Sequence, residues 1–281
     1  MSGAAFLDGA EPVVLTWGDG VVRWPATGGN PQRFLVGSKF TAGCADSDGT
    51  LFLLGGGRLS MFRVPYAKGI VLESATDFQD CLPWTMDGAR GVLIPHLHFQ
   101  LRFYREGAPP KELYSIYTPS KQGGLISRDI DLDGREDLLW GNYWLERPCG
   151  ENAHWRLFAI NTFFEKEESA LARLAWSERE GLYWGASAGE ARLALLKPAS
   201  DRKQIWQAEM LPDPPSGITA MLPLDGSLVV AHSKGVALYE RRGAGFSRRD
   251  LTPFAAIALY KRGGAVWAVF DSGPRIVYRL K

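Results

Sequence analysis

The sequence predicts an all-β fold, a seven-bladed β-propeller made of four-stranded blades of about forty residues each. Three observations predict it. An acidic-glycine step recurs along the chain, each step is followed by paired runs of strand-forming residues, and no segment of those runs sustains an apolar period of about 3.6 residues.

The step reads Asp8-Gly9, Asp48-Gly49, Asp87-Gly88, Asp133-Gly134, Glu180-Gly181 and Asp225-Gly226, with Gly263-Gly264 as a degenerate last copy. Successive spacings are 40, 39, 46, 47, 45 and 38 residues, the period of a propeller blade. The corresponding blades are 1–37, 38–77, 78–118, 119–169, 170–212, 213–252 and 253–281, forming one domain.

After each step comes an apolar run, a small or turn-forming break, and a second run. Leu51-Phe52-Leu53-Leu54 precedes Gly55-Gly56-Gly57 and Leu59-Ser60-Met61-Phe62, and Leu228-Val229-Val230 precedes Ser233-Lys234-Gly235 and Val236-Ala237-Leu238-Tyr239. Short β-rich runs punctuated by glycine are hairpin signals, so the unit is a β-meander. A four-stranded sheet with two apolar faces cannot cover both alone, and radial packing between two neighbours does so. The ten tryptophans fit such interfaces.

Two places strain the pattern. The segment 165–175, Glu-Lys-Glu-Glu-Ser-Ala-Leu-Ala-Arg-Leu-Ala, has good helix propensity. Its apolar part also suits the inner strand of the next blade, so at most a turn of helix is expected at the acidic end. The last repeat reaches Lys281 after its third strand. Either that blade is short or the segment Gly3-Ala4-Ala5-Phe6-Leu7 supplies a strand across the seam.

In the fourth repeat the step lies inside a full set of oxygen ligands: Asp129, Asp131, Asp133 and Asp137, with Gly134 at the turn. A hard cation such as Ca²⁺ takes six to eight oxygens at about 2.3–2.6 Å, and oxygen-only donors disfavour zinc and copper. Asp129, Asp131, Asp133 and Asp137 offer carboxylates and Arg135 a backbone carbonyl, for one structural calcium ion. Four carboxylates in nine residues without a cation would repel one another. An EF-hand needs a bidentate Glu at the twelfth position, and Trp140 stands there. Elsewhere fewer ligands survive: Asp46 and Asp48 in the second repeat, Asp87 in the third and Asp225 in the sixth, read as hydrogen-bonded turns.

The run Asp129 to Asp137, followed by Leu138-Leu139-Trp140-Gly141-Asn142-Tyr143-Trp144, resembles the FG-GAP or VCBS-type repeat of integrin-like propellers. That resemblance implies a loop joining the first two strands of a blade and holding calcium structurally. It also implies a role in adhesion, protein contacts or glycan binding, usually outside the cytoplasm.

Composition narrows the rest. With 32 basic and 31 acidic side chains, the net charge of +1 offers no field for nucleic acid. No apolar stretch is long enough to span a membrane, and residues 1–8 lack the basic and apolar regions of an export signal. Cys44, Cys81 and Cys149 are odd in number without metal spacing, and buried free thiols are expected. His96 and His98 lie two apart but no third ligand for a transition metal is evident. Gly185-Ala186-Ser187-Ala188-Gly189 matches a nucleophile elbow in letters, yet lies between strands where an elbow needs a following helix.

Asn142, Tyr143, Trp144 and Trp155 cluster in sequence around the acidic loop, with Asn152 as a further amide. Aromatic faces and amides suit a protein partner or a sugar, and Tyr143 and Trp155 are the best placed of them. The expected function is therefore a calcium-stabilised binding module, not an enzyme, whose partner is another protein within a larger assembly. A carbohydrate-binding or polysaccharide-cleaving propeller is the alternative.

Overall fold

Each recurring turn leaves the chain no path except straight back along the strand it has just made, so neighbouring runs pair antiparallel. The computed structural model describes residues 1–116, 122–150, 154–161, 171–177, 181–187 and 191–280. Among these residues there are 26 strands and no helix, arranged as seven antiparallel sheets with strands in chain order. The molecule is a seven-bladed β-propeller. No helix among the described residues is long and apolar enough to cross a membrane.

The first strand of each sheet lies innermost. These strands are Gly3–Leu7, Ala42–Ala45, Leu82–Met86, Ile126–Arg128, Leu171–Ser177, Ile218–Leu224 and Ala258–Arg262. Contacts run between the first strands of blades 1 and 2, 2 and 3, 5 and 6, 6 and 7, and 7 and 1. Second strands such as Ser227–His232 and Ala265–Phe270 are buried on both faces, while last strands such as Lys111–Ser115 are half exposed. Leu171–Ser177 confirms the strand reading of the apolar part of 165–175, whose acidic end lies outside the described residues.

The core is divided rather than central. Among the described residues there are seven apolar clusters, and each joins two adjacent blades. Trp140 belongs to the cluster between blades 3 and 4, Trp144 and Trp206 to that between 4 and 5, and Trp184 to that between 5 and 6. All four are essentially inaccessible to solvent. Removing any one would cost about 3–5 kcal/mol through lost transfer energy and the cavity left behind.

Most of the acidic-glycine steps are tight turns of the expected kind, with Gly134 at φ +87° and Gly226 at +66°. Gly9 is the exception, since it does not adopt positive φ.

Of the two expected closures the short last blade is the one observed, while one other expectation needs correction. Sheets 1 and 7 have three strands, and Gly3–Leu7 does not cross the seam: it pairs with Val13–Pro25 as the inner strand of blade 1. Closure is made by side chains. Phe6 stacks on Tyr260 at 4.3 Å, the Tyr260 hydroxyl donates to the Ala26 carbonyl at 2.6 Å, and Val14, Val22 and Trp24 pack with Tyr260 and Val269. Gly273 lies so close that a Cβ there would stand 2.8 Å from the Trp24 ring.

The correction concerns cysteine. Cys44 and Cys81 form a disulfide with Cα atoms 5.7 Å apart, and only Cys149 is a free, exposed thiol. The two are 37 residues apart, about one blade, so the repeat itself brings them side by side.

If side chains close the ring, Tyr260→Phe should lower stability by about 1 kcal/mol and Tyr260→Ala by about 3–5 kcal/mol. Urea denaturation of both variants checks this, and an unchanged midpoint for Tyr260→Ala would refute it.

Candidate metal centre

Blade 4 carries the acidic loop between its first two strands, Ile126–Arg128 and Asp137–Trp140. Local backbone bonding curls it. The Asp129 carboxylate accepts the N–H groups of Asp133 at 3.0 Å and Gly134 at 2.9 Å, an Asx-type closure. Leu132 takes φ +64° and points outward at 80% exposure, while Ile130 turns into the core beneath the loop.

Asp137 anchors the base. It is buried, and its two oxygens accept from Ile130 N at 3.2 Å and Arg147 N at 2.8 Å. Asp129, Asp131 and Asp137 each bring one carboxylate oxygen to within 4.8 Å of the others. Of the expected ligands, these three converge. Asp133 stands apart, its carboxylate accepting from Arg135 N at 2.9 Å and pairing with the Arg135 guanidinium.

The trio is electrostatically unfavourable as it stands. Asp131 has its pKa raised by burial and by the charges of Asp133, Glu146 and Asp129. Asp137 is raised by burial, partly offset by the hydrogen bonds from Arg147 and Ile130. One oxygen of Asp131, Oδ1, is buried without a hydrogen-bond partner. A buried acceptor without a donor is costly, and a cation among these oxygens would satisfy it. The donors are all oxygen, so the residues fit a hard ion such as calcium.

Glu146 is the residue that sequence reasoning missed. It ends the strand Tyr143–Glu146, whose register pairs Leu139 with Trp144 and Leu138 with Leu145, which sets Glu146 across from Asp137. The tight turn Gly141-Asn142 is the signal that could have placed it there. Its outer oxygen pairs with Lys203 of blade 5 at 3.0 Å.

The same turn in blade 2 meets its charge differently. Arg90 of blade 3 reaches Asp46 at 3.4 Å and Asp48 at 3.2 Å, and Asp48 also accepts Thr50 N at 2.8 Å. A guanidinium there does what the blade 4 trio would need a metal ion to do.

Beside the loop lies a groove of about 1130 Å³ between blades 3 and 4. The loop residues Gly134, Arg135 and Glu136 line it together with Trp84, Arg147 and Trp155. Trp155 is half-buried and meets Trp84 edge-on at 6.1 Å, and the Arg147 guanidinium lies 5.5 Å above the Trp84 ring. Tyr143 is half-buried against the same cluster of side chains. Trp144 and Asn142 are interior: Trp144 packs on Phe158, and the Asn142 backbone N–H donates to Gln122 Oε1. Neither presents a face to a partner. Asn152 lies outside the described residues.

The other candidates do not assemble a reactive site. His96 is buried at the end of its strand, with Nδ1 3.1 Å from the Tyr104 hydroxyl, and His98 lies past the turn with Nε2 3.2 Å from Asp77. Positive φ at Leu97 and His98 turns the second ring away, so the two do not share a strand face. Ser187 ends a strand with its hydroxyl accepting from Arg192 N at 3.2 Å, and positions 188 and 189 lie outside the described residues.

No protein-family model matches the chain, and no curated protein does either. Solved structures do. Virginiamycin B lyase from Staphylococcus aureus is similar over 100% of this chain and 96% of its own, at 10% identity and a TM-score of 0.69. A chain of the mitotic checkpoint complex is similar over 98% of this chain and 86% of its own, at 13% and 0.64. A chain of the complex of BBS1N with ARL6DN is similar over 100% and 92%, at 14% and 0.63. At such identities these likenesses show the fold alone.

For the loop, Asp131→Asn removes a repelled charge while keeping shape. In chelator the variant should melt no lower than wild type. Calcium at a hundred times its Kd should then raise wild type by about 2.7 kcal/mol, roughly 5 °C, and leave the variant unmoved. Equal response of both proteins in differential scanning calorimetry would refute a metal role.

His96 and His232 are both held below the usual imidazole pKa, chiefly by burial. The unfolded chain therefore takes up these protons first as pH drops. Their stability contribution is whole above the unfolded value of 6.5 and is lost as pH falls toward the folded values. Melting temperature should decline from about pH 7 to 5, less steeply in a His96→Gln, His232→Asn double variant. Parallel slopes would contradict this.

Proposed function

We propose that this chain is a calcium-stabilised interaction module, without catalysis of its own, that docks a segment of another protein in the groove between blades 3 and 4. The resemblance of Asp129 to Asp137 to the FG-GAP or VCBS-type repeat supports calcium in the loop. So does the convergence of Asp129, Asp131 and Asp137 around a buried, unpartnered oxygen.

The observation that carries the docking reading is that the loop is also a wall of the groove. A cation fixing the loop would fix Gly134, Arg135 and Glu136 in the groove that Trp155 and Arg147 also line. Half-buried tryptophan and arginine in a concave site are the residue types that dominate protein–protein affinity. Preorganising one wall lowers the ordering cost of binding. Solved structures similar to this chain include protein complexes, among them the mitotic checkpoint complex and BBS1N with ARL6DN.

A glycan ligand is the second reading, favoured by the groove's lining, which includes Trp155 together with the acidic residues Asp87 and Glu112. Aromatic rings flanked by hydrogen-bonding groups suit the apolar face of a sugar.

Native purification of the tagged chain in calcium should yield a stoichiometric protein companion. Trp155→Ala or Arg147→Ala should weaken that complex by about thirtyfold, measured by calorimetry with the purified companion. A chain that remains alone and silent on a glycan array would overturn both readings. A complex indifferent to both substitutions would move the docking site elsewhere.

A further inference from the structure

The disulfide occupies a particular place in the ring. Cys44 lies in the inner strand of blade 2, and Cys81 immediately precedes the inner strand of blade 3. Cys81 belongs to the apolar cluster that joins those blades, with Phe52, Val92 and Tyr104, and is 5% exposed. Cys44 is the more accessible of the two.

The neighbour of Cys81 extends the link to a third blade. The Asp80 carboxylate accepts Cys81 N at 2.9 Å on one oxygen, and Gly124 N at 2.9 Å and Leu125 N at 3.3 Å on the other. Gly124 and Leu125 lead into Ile126–Arg128, the strand that ends at the acidic loop. Arg173 of blade 5 adds a favourable charge to Asp80. Asp80 and Cys81 therefore hold blade 3 to blade 2 covalently and to blade 4 through a half-buried carboxylate.

We propose that Cys44 and Cys81 are an inter-blade clasp, closed by oxidation as the ring assembles, which fits the folded chain to an oxidising surrounding. This does not depend on the docking or calcium readings. The co-reactant is a small-molecule disulfide of the glutathione disulfide class. The Cys44 thiolate attacks one of its sulfurs, forms a mixed disulfide and releases one thiolate; the Cys81 thiolate then attacks the Cys44 sulfur and expels the second. Two protein thiols lose two electrons and two protons, and one small disulfide becomes two thiols. Cys44 is the point of attack because Cys81 is covered. Once closed, burial shields the bond from the reverse exchange. Cys149, alone and exposed, is outside this pair.

The direct test needs no variant. Protein folded in a buffer dominated by glutathione disulfide is denatured without reductant and alkylated, and peptide mass mapping locates the label. Cys44 and Cys81 recovered as a linked pair, with Cys149 either alkylated or carrying one glutathione, is expected; Cys44 and Cys81 recovered unlinked, or a link to Cys149, would overturn the clasp. Thermal melting supplies the second readout. Reduction should lower the melting temperature of wild type and of Cys149→Ser by several degrees, because a closed loop of about forty residues restricts the unfolded chain. A Cys44→Ser, Cys81→Ser double variant should melt near the reduced value and ignore reductant. A wild type whose melting is the same in both redox states would overturn the stabilising role.

Discussion

Every feature of this molecule depends on one constraint: a blade is apolar on both faces and has no face to leave in water. The answer is seven interfaces of the same kind, each a cluster shared by two blades, with no central core. A wedge-shaped stack of this sort has no stable end until its first and last members meet. That meeting occurs at Phe6, Trp24 and Tyr260, through ring stacking and one hydroxyl, without a strand lent from one terminus to the other blade.

Much of this was legible in the residues. The recurring acidic-glycine step exposed the period because a tight turn needs glycine regardless of what surrounds it. The apolar runs exposed the strands because both faces are buried. The three strands of the last blade were legible, since the repeat reaches Lys281 after its third, but those of the first were not, since pairing depends on which neighbour is available and not on composition. The disulfide was missed for a related reason. Cysteine spacing was weighed against metal motifs, whereas in a repeat protein a separation of one period is itself a statement of contact.

The candidate site was legible in part. Four aspartates at alternate positions marked the loop, and three of them converge. Asp133 does not, because Arg135 two residues on competes for its carboxylate. Glu146 entered through strand register, a relation invisible in local spacing. Trp144 fell to the interior because successive side chains of the strand Tyr143–Glu146 face opposite blade interfaces, Tyr143 toward blade 3 and Trp144 toward blade 5. Trp155, past that hairpin, kept part of its ring at the groove. The comparison with blade 2 is the most instructive: in the same turn there, Arg90 of the next blade pairs with both Asp46 and Asp48.

The repeat also shapes how far the chain must reach to make its bonds. Arg90 to Asp48 spans 42 residues, Arg63 to Glu106 43, Gly124 to Asp80 44, Arg173 to Thr219 46 and Thr219 to Ala256 37. Only the seam is distant, with 234 residues between Tyr260 and Ala26. Because loop-closure entropy grows with the logarithm of length, bringing those ends together costs only about 1.5 kcal/mol more than joining two successive blades. The last interface is thus nearly as cheap in chain entropy as the others. A ring of this kind can assemble neighbour by neighbour and reserve its one long-range encounter for a step in which the partners already stand almost face to face.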